Sequence, residues 1–307
     1  MTNGSKRNIS DSVRQRLKNK AQENNETFDQ ILLRFTLERL LYRLSQSKHR
    51  DQLVLKGAML FQIWSGQSHR PTRDLDFLGQ GTPSPSDFER HFREICEQEV
   101  DDDGLKFFPE TVHAEPMKED QDYQGLRLKF QARLESARIL IQIDVGFGDA
   151  VTPRAEEIKY PTLLEFEAPV LKAYPRETVV AEKLQAMVNL GIANSRMKDF
   201  FDLWTLSNQF EFSGSTLSVA IKATFERRQT LVPEKPPLAL TSEFASDSQK
   251  QTQWNAFLRK NKLETAGLSF AEIIEALHGF LMPPIDALAN KRPFDLHWRP
   301  SQSWRSI

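Results

Sequence analysis

The chain has 307 residues, a formal net charge of -1 and 39% apolar side chains. This indicates about two folded domains and excludes a largely disordered protein. A single cysteine, Cys96, excludes a disulfide framework and a multi-cysteine zinc site. We expect a cytoplasmic protein without a membrane partner, because no run approaches the ~20 apolar residues of a membrane span and the N-terminus lacks an apolar signal core.

Charge is distributed unevenly along the sequence. Residues 1–50 contain eleven Lys or Arg and five acids, a local net charge of +6. Residues 87–122 contain thirteen acids and four bases, a local net charge of -9, and residues 290–307 are basic again. These segments are either solvated faces or, in a sharper interpretation, surfaces on which the basic ends of the chain guide a polyanion such as RNA. In the C-terminal tail, arginines alternate with Trp298 and Trp304, which suits stacking on single-stranded RNA or docking of the tail.

The first half of the chain alternates between helical and extended patterns. Apolar spacing predicts a helix over 28–44, capped by Asn25 or Thr27. A strand-to-helix junction follows at 54–64, then a strand over 73–78 and a helix over 85–100. Two alternating segments at 125–134 and 138–145, with Ser136-Ala137 as the candidate turn, predict adjacent strands of an antiparallel or mixed sheet.

The second half is predominantly helical in pattern. Helices are predicted from Pro175 to a stop at Gly191, and then over 195–206 and 217–225. The segment 232–250 is rich in Pro, Ser and charged residues, which predicts a linker or long loop. Two further helices are predicted around 254–258 and 270–281.

Two aspartates on one short strand form the most informative motif. Asp74 and Asp76 are one residue apart, so their side chains project from the same face, together with Thr72. Two such carboxylates repel each other unless a cation lies between them, and Mg²⁺ prefers oxygen ligands of this kind. The alternative is an ordinary strand-end pair that is open to solvent.

Two other features point towards the same chemistry. Gly57-Ala58 lies where a strand leads into a helix, and small residues there allow backbone N–H groups to approach a phosphate. Asp144 ends a strongly apolar strand, where a carboxylate must be exposed, paired or bound to a metal. Together with the aspartate pair, this is the layout of a two-metal phosphoryl-transfer site.

Five segments resemble the AbiEii/AbiGii family of nucleotidyltransferase-like toxins, which includes the MenT group. They span about Leu53–Leu206 and read LKGAML, RPTRDLDF, IQIDV, AEKLQAM and SRMKDFFDLW. The resemblance implies an α+β fold with a polymerase-β-like nucleotidyltransferase core, a small mixed sheet with helices, and a mainly helical C-terminal lobe. It divides the chain into an N-terminal helical segment (1–50), the core (51–170) and the lobe (171–307). It also implies transfer of nucleotides from an NTP with Mg²⁺ or Mn²⁺, in characterised relatives to the 3′ end of tRNA, which blocks translation, and a cognate antitoxin encoded nearby.

The resemblance also assigns roles to individual residues of this chain. By analogy with the family, Asp74, Asp76 and Asp144 bind the metals, and they act in catalysis with Lys183 and Asp199. The nucleotide-binding residues that it implies are Lys56, Gly57, Ala58, Thr72, Arg73, Lys183 and Arg196. Many nucleotidyltransferases have Gly-Ser at the turn where this chain has Gly57-Ala58, so a hydroxyl that could bind phosphate is absent.

Other interpretations of the same residues remain open from the sequence. Lys183 lies beside the apolar stripe of its helix and could simply extend to water, and Arg196 and Asp199 have the spacing of an ordinary ion pair. The six histidines lack metal-ligand spacing, and Cys96 has the character of a buried, inert thiol. The alternative functions are transfer to a protein or small molecule, and a nucleotide- or partner-binding module without turnover.

Overall fold

The structure, a computed structural model, describes residues 9–66, 69–82, 84–119, 123–300 and 302–306. The chain divides into two compact units. The first comprises Met1–Gly148 and Glu156–Ala173, and the second comprises Asp149–Ala155 and Tyr174–Ile307. The N-terminal helical segment, which the sequence divided from the core at residue 50, belongs to the first unit together with the sheet.

The first unit is built on a seven-stranded mixed sheet with the strand order β3-β4-β5-β2-β1-β7-β6. Long antiparallel pairs join β3 to β4 and β4 to β5, whereas β2 runs parallel to β5. The strands are β1 (Leu53–Lys56), β2 (Asp74–Gly79), β3 (Leu105–Glu119), β4 (Tyr123–Leu134), β5 (Ala137–Phe147), β6 (Glu156–Lys159) and β7 (Val170–Ala173). The predicted fold class, a mixed sheet with helices followed by a mainly helical lobe, is confirmed.

In the described part of the first unit, four α-helices accompany this sheet. They are α1 (Ile9–Glu23), α2 (Phe28–Gln46), α3 (Leu60–Ser65) and α4 (Pro85–Glu97). Thr27 caps α2 in a capping box with Gln30, one of the two caps that the sequence predicted. The central hairpin is formed by β4 and β5. Phe92 of α4 packs against Phe130 of β4, so α4 covers the apolar face of this hairpin. The opposite face, which carries Arg127, is not part of this core.

The hairpin turn and one long strand differ from the sequence prediction. The turn consists of Glu135 and Ser136, with Leu134 paired to Ala137, rather than Ser136-Ala137. Glu135 adopts φ 52°, the left-handed conformation that this kind of tight hairpin turn requires. β3 was not predicted, because charged residues, Pro109 and Pro116 interrupt its alternation.

Most of the described basic side chains of the N-terminal segment have acidic partners, so much of the local positive charge is balanced within the first unit. Arg39 and Arg43 are buried and both bind the buried Asp103. Other basic residues of the segment form more exposed ion pairs: Arg14, Lys20, Arg34, Lys48 and Arg50. Lys6 and Arg7 lie outside the described residues.

The second unit is mainly helical. Its helices are α5 (Arg176–Leu190), α6 (Met197–Gln209), α7 (Gly214–Arg227), α8 (Ser242–Ser246), α9 (Ser248–Asn261) and α10 (Phe270–Ala289). A small sheet has the order β10 (Trp304–Arg305), β9 (His297–Trp298), β8 (Phe212–Ser213). The predicted stop of α5 at Gly191 is confirmed.

One prediction for this unit is wrong, and one of the two alternatives for the tail is confirmed. The segment 232–250 is not a linker, because it contains α8 and the start of α9 and buries Leu240, Phe244 and Lys250. For the tail, docking is the alternative that the structure confirms, rather than base stacking by its tryptophans. The indole N–H of Trp298 donates to the backbone oxygen of Ser207, and that of Trp304 donates to the backbone oxygen of Phe280. The tail is docked on its own unit.

Among the described residues, none of the helices combines the length and the apolar character that a membrane crossing requires.

Candidate active site

Three carboxylates meet on two neighbouring strands of the first unit. Asp76 of β2 lies directly opposite Asp144 of β5 in the parallel pairing, and Asp74 is opposite Gln142 one step along the same face. One oxygen from each of the three carboxylates lies within 4.8 Å of the others. All three side chains are partly accessible to solvent. The structure thus brings together the three acids that the sequence grouped, from positions 70 residues apart in the chain.

Gly57 makes room for Asp76. It follows β1, has φ 78° and begins a single 3-10 turn, Gly57–Met59, that leads into α3. A Cβ atom at this position would lie 2.0 Å from Oδ2 of Asp76. Any other residue would therefore displace the carboxylate, and the left-handed φ favours glycine independently. Ala58, the second small residue of the turn, is half-buried.

The other predicted residues of this unit lie at the end of β1 or just before β2. The Thr72 hydroxyl donates to Oδ1 of Asp74 at 2.8 Å, so it orients a carboxylate instead of pointing away from the site. Lys56 is the antiparallel partner of Asp76 across β1 and β2. Arg73 is exposed and alternates to the opposite face from Asp74.

Arg127 of β4 is a site residue that the sequence analysis did not select. It is the direct cross-strand partner of Asp144, and its guanidinium holds both carboxylate oxygens, with Nε 2.8 Å from Oδ1 and Nη2 2.7 Å from Oδ2. This is the bidentate geometry of a strong charge-assisted pair. Two features of the sequence could have indicated Arg127: the charged face of the 125–134 segment and the presence of Asp144 on the next strand.

The donor set fits a divalent cation. Three carboxylates supply hard oxygen ligands, which are the ligands that Mg²⁺ and Mn²⁺ accept. The missing Cβ at Gly57 gives Asp76 its position, and Thr72 fixes the orientation of Asp74. Arg127 supplies positive charge to one of the three acids.

The predicted residues of the helical lobe form a separate cluster in the second unit. The ammonium group of Lys183 on α5 lies 2.6 Å from Oδ1 of Asp199 and 2.8 Å from Oδ2 of Asp202, both on α6. All three side chains are largely buried, with 15% of Lys183 exposed. Lys183 is therefore neither a simple solvated lysine nor independent of Asp199. Arg196, just before α6, is exposed, and Asp199 turns to Lys183 instead of to Arg196.

The remaining candidates are structural. The ring of His69 stacks on Phe61 with centroids 4.1 Å apart. Burial raises the pKa of the Cys96 thiol to about 12, so the thiolate that a nucleophile needs is scarce at neutral pH. Both results agree with the interpretations made from the sequence.

The family model described as "Nucleotidyl transferase AbiEii toxin, Type IV TA system" matches residues 39–276. The crystal structure of JHP933 from Helicobacter pylori is 16% identical, with a TM-score of 0.48, over 83% of this chain and 91% of that chain. A candidate nucleotidyltransferase from H. pylori is also 16% identical, with a TM-score of 0.47, over 83% of this chain and 94% of that chain.

A search of curated proteins found no match. The family match covers more than half of the chain, and it includes both the aspartate cluster and the Lys183 cluster. The chain therefore belongs to the AbiEii family of nucleotidyltransferase toxins of type IV toxin–antitoxin systems.

Proposed function

We propose that this protein transfers nucleotides from an NTP to RNA, at the 3′ end of tRNA, and thereby blocks translation in the cytoplasm. The observation that carries the proposal is the aspartate cluster, in which one oxygen from each of Asp74, Asp76 and Asp144 lies within 4.8 Å of the others. In a nucleotidyltransferase of this family, such a cluster is the place where the reacting hydroxyl and the triphosphate are brought together.

Mg²⁺ or Mn²⁺ would be held by Asp74, Asp76 and Asp144, and when bound it supplies Lewis-acid activation of the acceptor hydroxyl and neutralises the triphosphate. Thr72 keeps Asp74 in one orientation through its hydroxyl. Gly57 leaves the space in which Asp76 lies. Arg127 holds Asp144 from the opposite side, so the three carboxylates are pre-positioned by neighbours and need little reorganisation.

The proposed roles of the other residues follow their chemistry. Lys56, on β1 next to the cluster, and the Gly57-Ala58 turn would contact the triphosphate. Arg73 precedes β2 and alternates to the opposite face from Asp74, so no contact with the triphosphate is assigned to it. In the second unit, Lys183 would supply a point charge to the nucleotide, with Asp199 positioning it. Arg196, which is exposed, would contact the nucleotide as well. As the type IV family implies, a cognate antitoxin encoded nearby would restrain the enzyme.

The test is an acceptor survey with the wild-type protein. Each of the four α-labelled NTPs is incubated with the protein, Mg²⁺ and a cell extract, and the label is then separated into tRNA, other RNA, protein and small molecules. Label at the 3′ end of tRNA supports the proposal and identifies the nucleotide. Label confined to protein or small molecules, or nucleotide that binds without reacting, contradicts it in favour of one of the alternative functions.

A further inference from the structure

The open face of the β3–β4–β5 sheet continues from the aspartate cluster as a series of cross-strand rows. Residues that pair directly across strands point to the same side of a sheet. The row through the cluster contains Glu115, Arg127, Asp144, Asp76 and Lys56. The next rows contain His113, Lys129, Gln142 and Asp74, then Phe108, Gln131 and Leu140, then Lys106, Arg133 and Arg138.

The row farthest from the cluster is entirely cationic. Lys106, Arg133 and Arg138 come from three different strands, and Lys106 and Arg138 are exposed. Within the part of the chain that the structure describes, none of the three forms an ion pair, in contrast to the basic residues of α1 and α2, which mostly do. Three adjacent cations without carboxylate partners repel one another, and a polyanion would relieve this repulsion.

Aromatic and apolar surface lies between this row and the cluster. The Phe108 ring is half-buried, with the ammonium of Lys106 5.3 Å and the guanidinium carbon of Arg133 5.2 Å from its centroid. Leu140, in the same row as Phe108, is 66% exposed on a strand whose other face is buried. An aromatic ring beside unpaired cations is the combination that binds single-stranded nucleic acid, through base stacking and phosphate contacts.

We propose that this face binds the single-stranded 3′-terminal segment of the acceptor RNA and delivers its terminal hydroxyl to the aspartate cluster. The inference rests on the proposed function, because it concerns the acceptor of that same site. The cationic row is six residues along β4 from Arg127, about 20 Å at ~3.4 Å per residue, which is enough for roughly six stacked nucleotides at ~3.4 Å each. Phosphates would contact Arg133 and Arg138, and a base would stack on Phe108.

The decisive variant removes two charges from the far row without touching the cluster. Arg133→Gln/Arg138→Gln is compared with Lys18→Gln/Lys159→Gln, which removes two exposed cations of α1 and β6 from the same unit. Affinity for a fluorescent 12-nucleotide single-stranded RNA is measured by anisotropy over a range of salt concentrations, and nucleotide incorporation is measured with saturating RNA. Circular dichroism melts verify that each variant folds.

We expect the Arg133/Arg138 variant to bind the RNA about tenfold more weakly. The slope of log K against log salt should be lower by about 1.4, since each lost single-strand phosphate contact removes ~0.7. Incorporation at saturating RNA should stay near the wild-type rate, because the variant affects KM and not the chemistry. The Lys18/Lys159 control should keep wild-type affinity and slope. Phe108→Leu, which keeps an apolar side chain, should lose about fivefold in affinity through stacking alone.

Two failures are distinguishable. The assigned surface would be overturned if the Arg133/Arg138 variant kept wild-type affinity and salt slope, or if the Lys18/Lys159 control lost as much affinity. In either case, labelling of RNA by the wild-type protein would leave the proposed function intact. A wild-type protein that neither binds the oligonucleotide nor labels RNA with any NTP would overturn both.

Discussion

Replacing Gly57 with alanine should damage the aspartate cluster far more than it damages the fold. The new Cβ atom would lie 2.0 Å from Oδ2 and 2.7 Å from Cγ of Asp76. Non-bonded carbon and oxygen atoms stay about 3.3 Å apart, so the carboxylate must move by more than 1 Å. A misplacement of about 1 Å in a catalytic group can cost on the order of 100-fold in rate.

Gly66→Ala is the matched control. Gly66 has φ 71°, nearly the same left-handed backbone as Gly57, but a Cβ there would meet none of the described residues within 4 Å. Both substitutions therefore carry a similar backbone strain of about 1–2 kcal/mol, with a fall in Tm of roughly 2–4 °C per kcal/mol. Only Gly57→Ala adds the clash with Asp76.

The measurements are Mn²⁺ binding by isothermal titration, nucleotide incorporation, and thermal unfolding by circular dichroism. We expect Gly66→Ala to bind Mn²⁺ and to incorporate nucleotide like the wild type, with a small loss in Tm. Gly57→Ala should lose about 100-fold in incorporation and bind Mn²⁺ clearly more weakly, with a folded spectrum. If Gly57→Ala matches Gly66→Ala in both metal affinity and incorporation, the reasoning that Gly57 positions Asp76 is refuted.

Three further predictions concern buried ionisable groups. Burial raises the pKa of Glu38 from 4.5 to about 7, so its contribution to stability is present below pH 4.5 and is lost as the pH rises through 7. Glu38→Gln should therefore raise Tm relative to wild type at pH 8 and much less at pH 5, and an equal shift at both pH values would contradict the raised pKa. Because burial raises the pKa of Cys96 to about 12, iodoacetamide at pH 8 should alkylate the native protein far more slowly than the urea-unfolded chain; equal rates would show that the thiol is accessible. Lys183→Met leaves the buried Asp199 and Asp202 without their shared cation and should lower the free energy of unfolding by about 3–5 kcal/mol in denaturant titrations, whereas a loss below about 1 kcal/mol would mean that the pairing contributes little to the fold.

The register of the central hairpin shows which structural features sequence periodicity can predict and which it cannot. The alternation of β4 and β5 predicted both strands and their faces, but the turn lies one residue earlier than the sequence suggested. A turn at Ser136-Ala137 would have placed Lys129 opposite Asp144, whereas the observed turn places Arg127 there. Periodicity determines which face a side chain occupies, and turn geometry determines its partner.

Long-range pairing explains most of the other differences. The excess of basic residues in 1–50 is a property of the sequence, but Arg39 and Arg43 are both paired with Asp103, which is about 60 residues away in the chain. The tryptophans of the tail likewise meet their partners only after folding, Trp298 at Ser207. The aspartate cluster was predictable because Asp-x-Asp on one strand and an acid on a second strong strand define a face without knowledge of the strand order.

In the function proposed above, the aspartate cluster carries metal-dependent transfer of nucleotides to RNA. The most direct test compares wild type, Asp76→Asn and Asp51→Asn for incorporation of labelled NTP into total RNA, with Mg²⁺ or with EDTA. Asp51 is a matched control because its side chain is 75% exposed in the same unit. We expect label in RNA from wild type and Asp51→Asn with Mg²⁺, none with EDTA, and a loss of at least about 100-fold in Asp76→Asn. Incorporation by a folded Asp76→Asn protein at the wild-type rate would contradict this expectation.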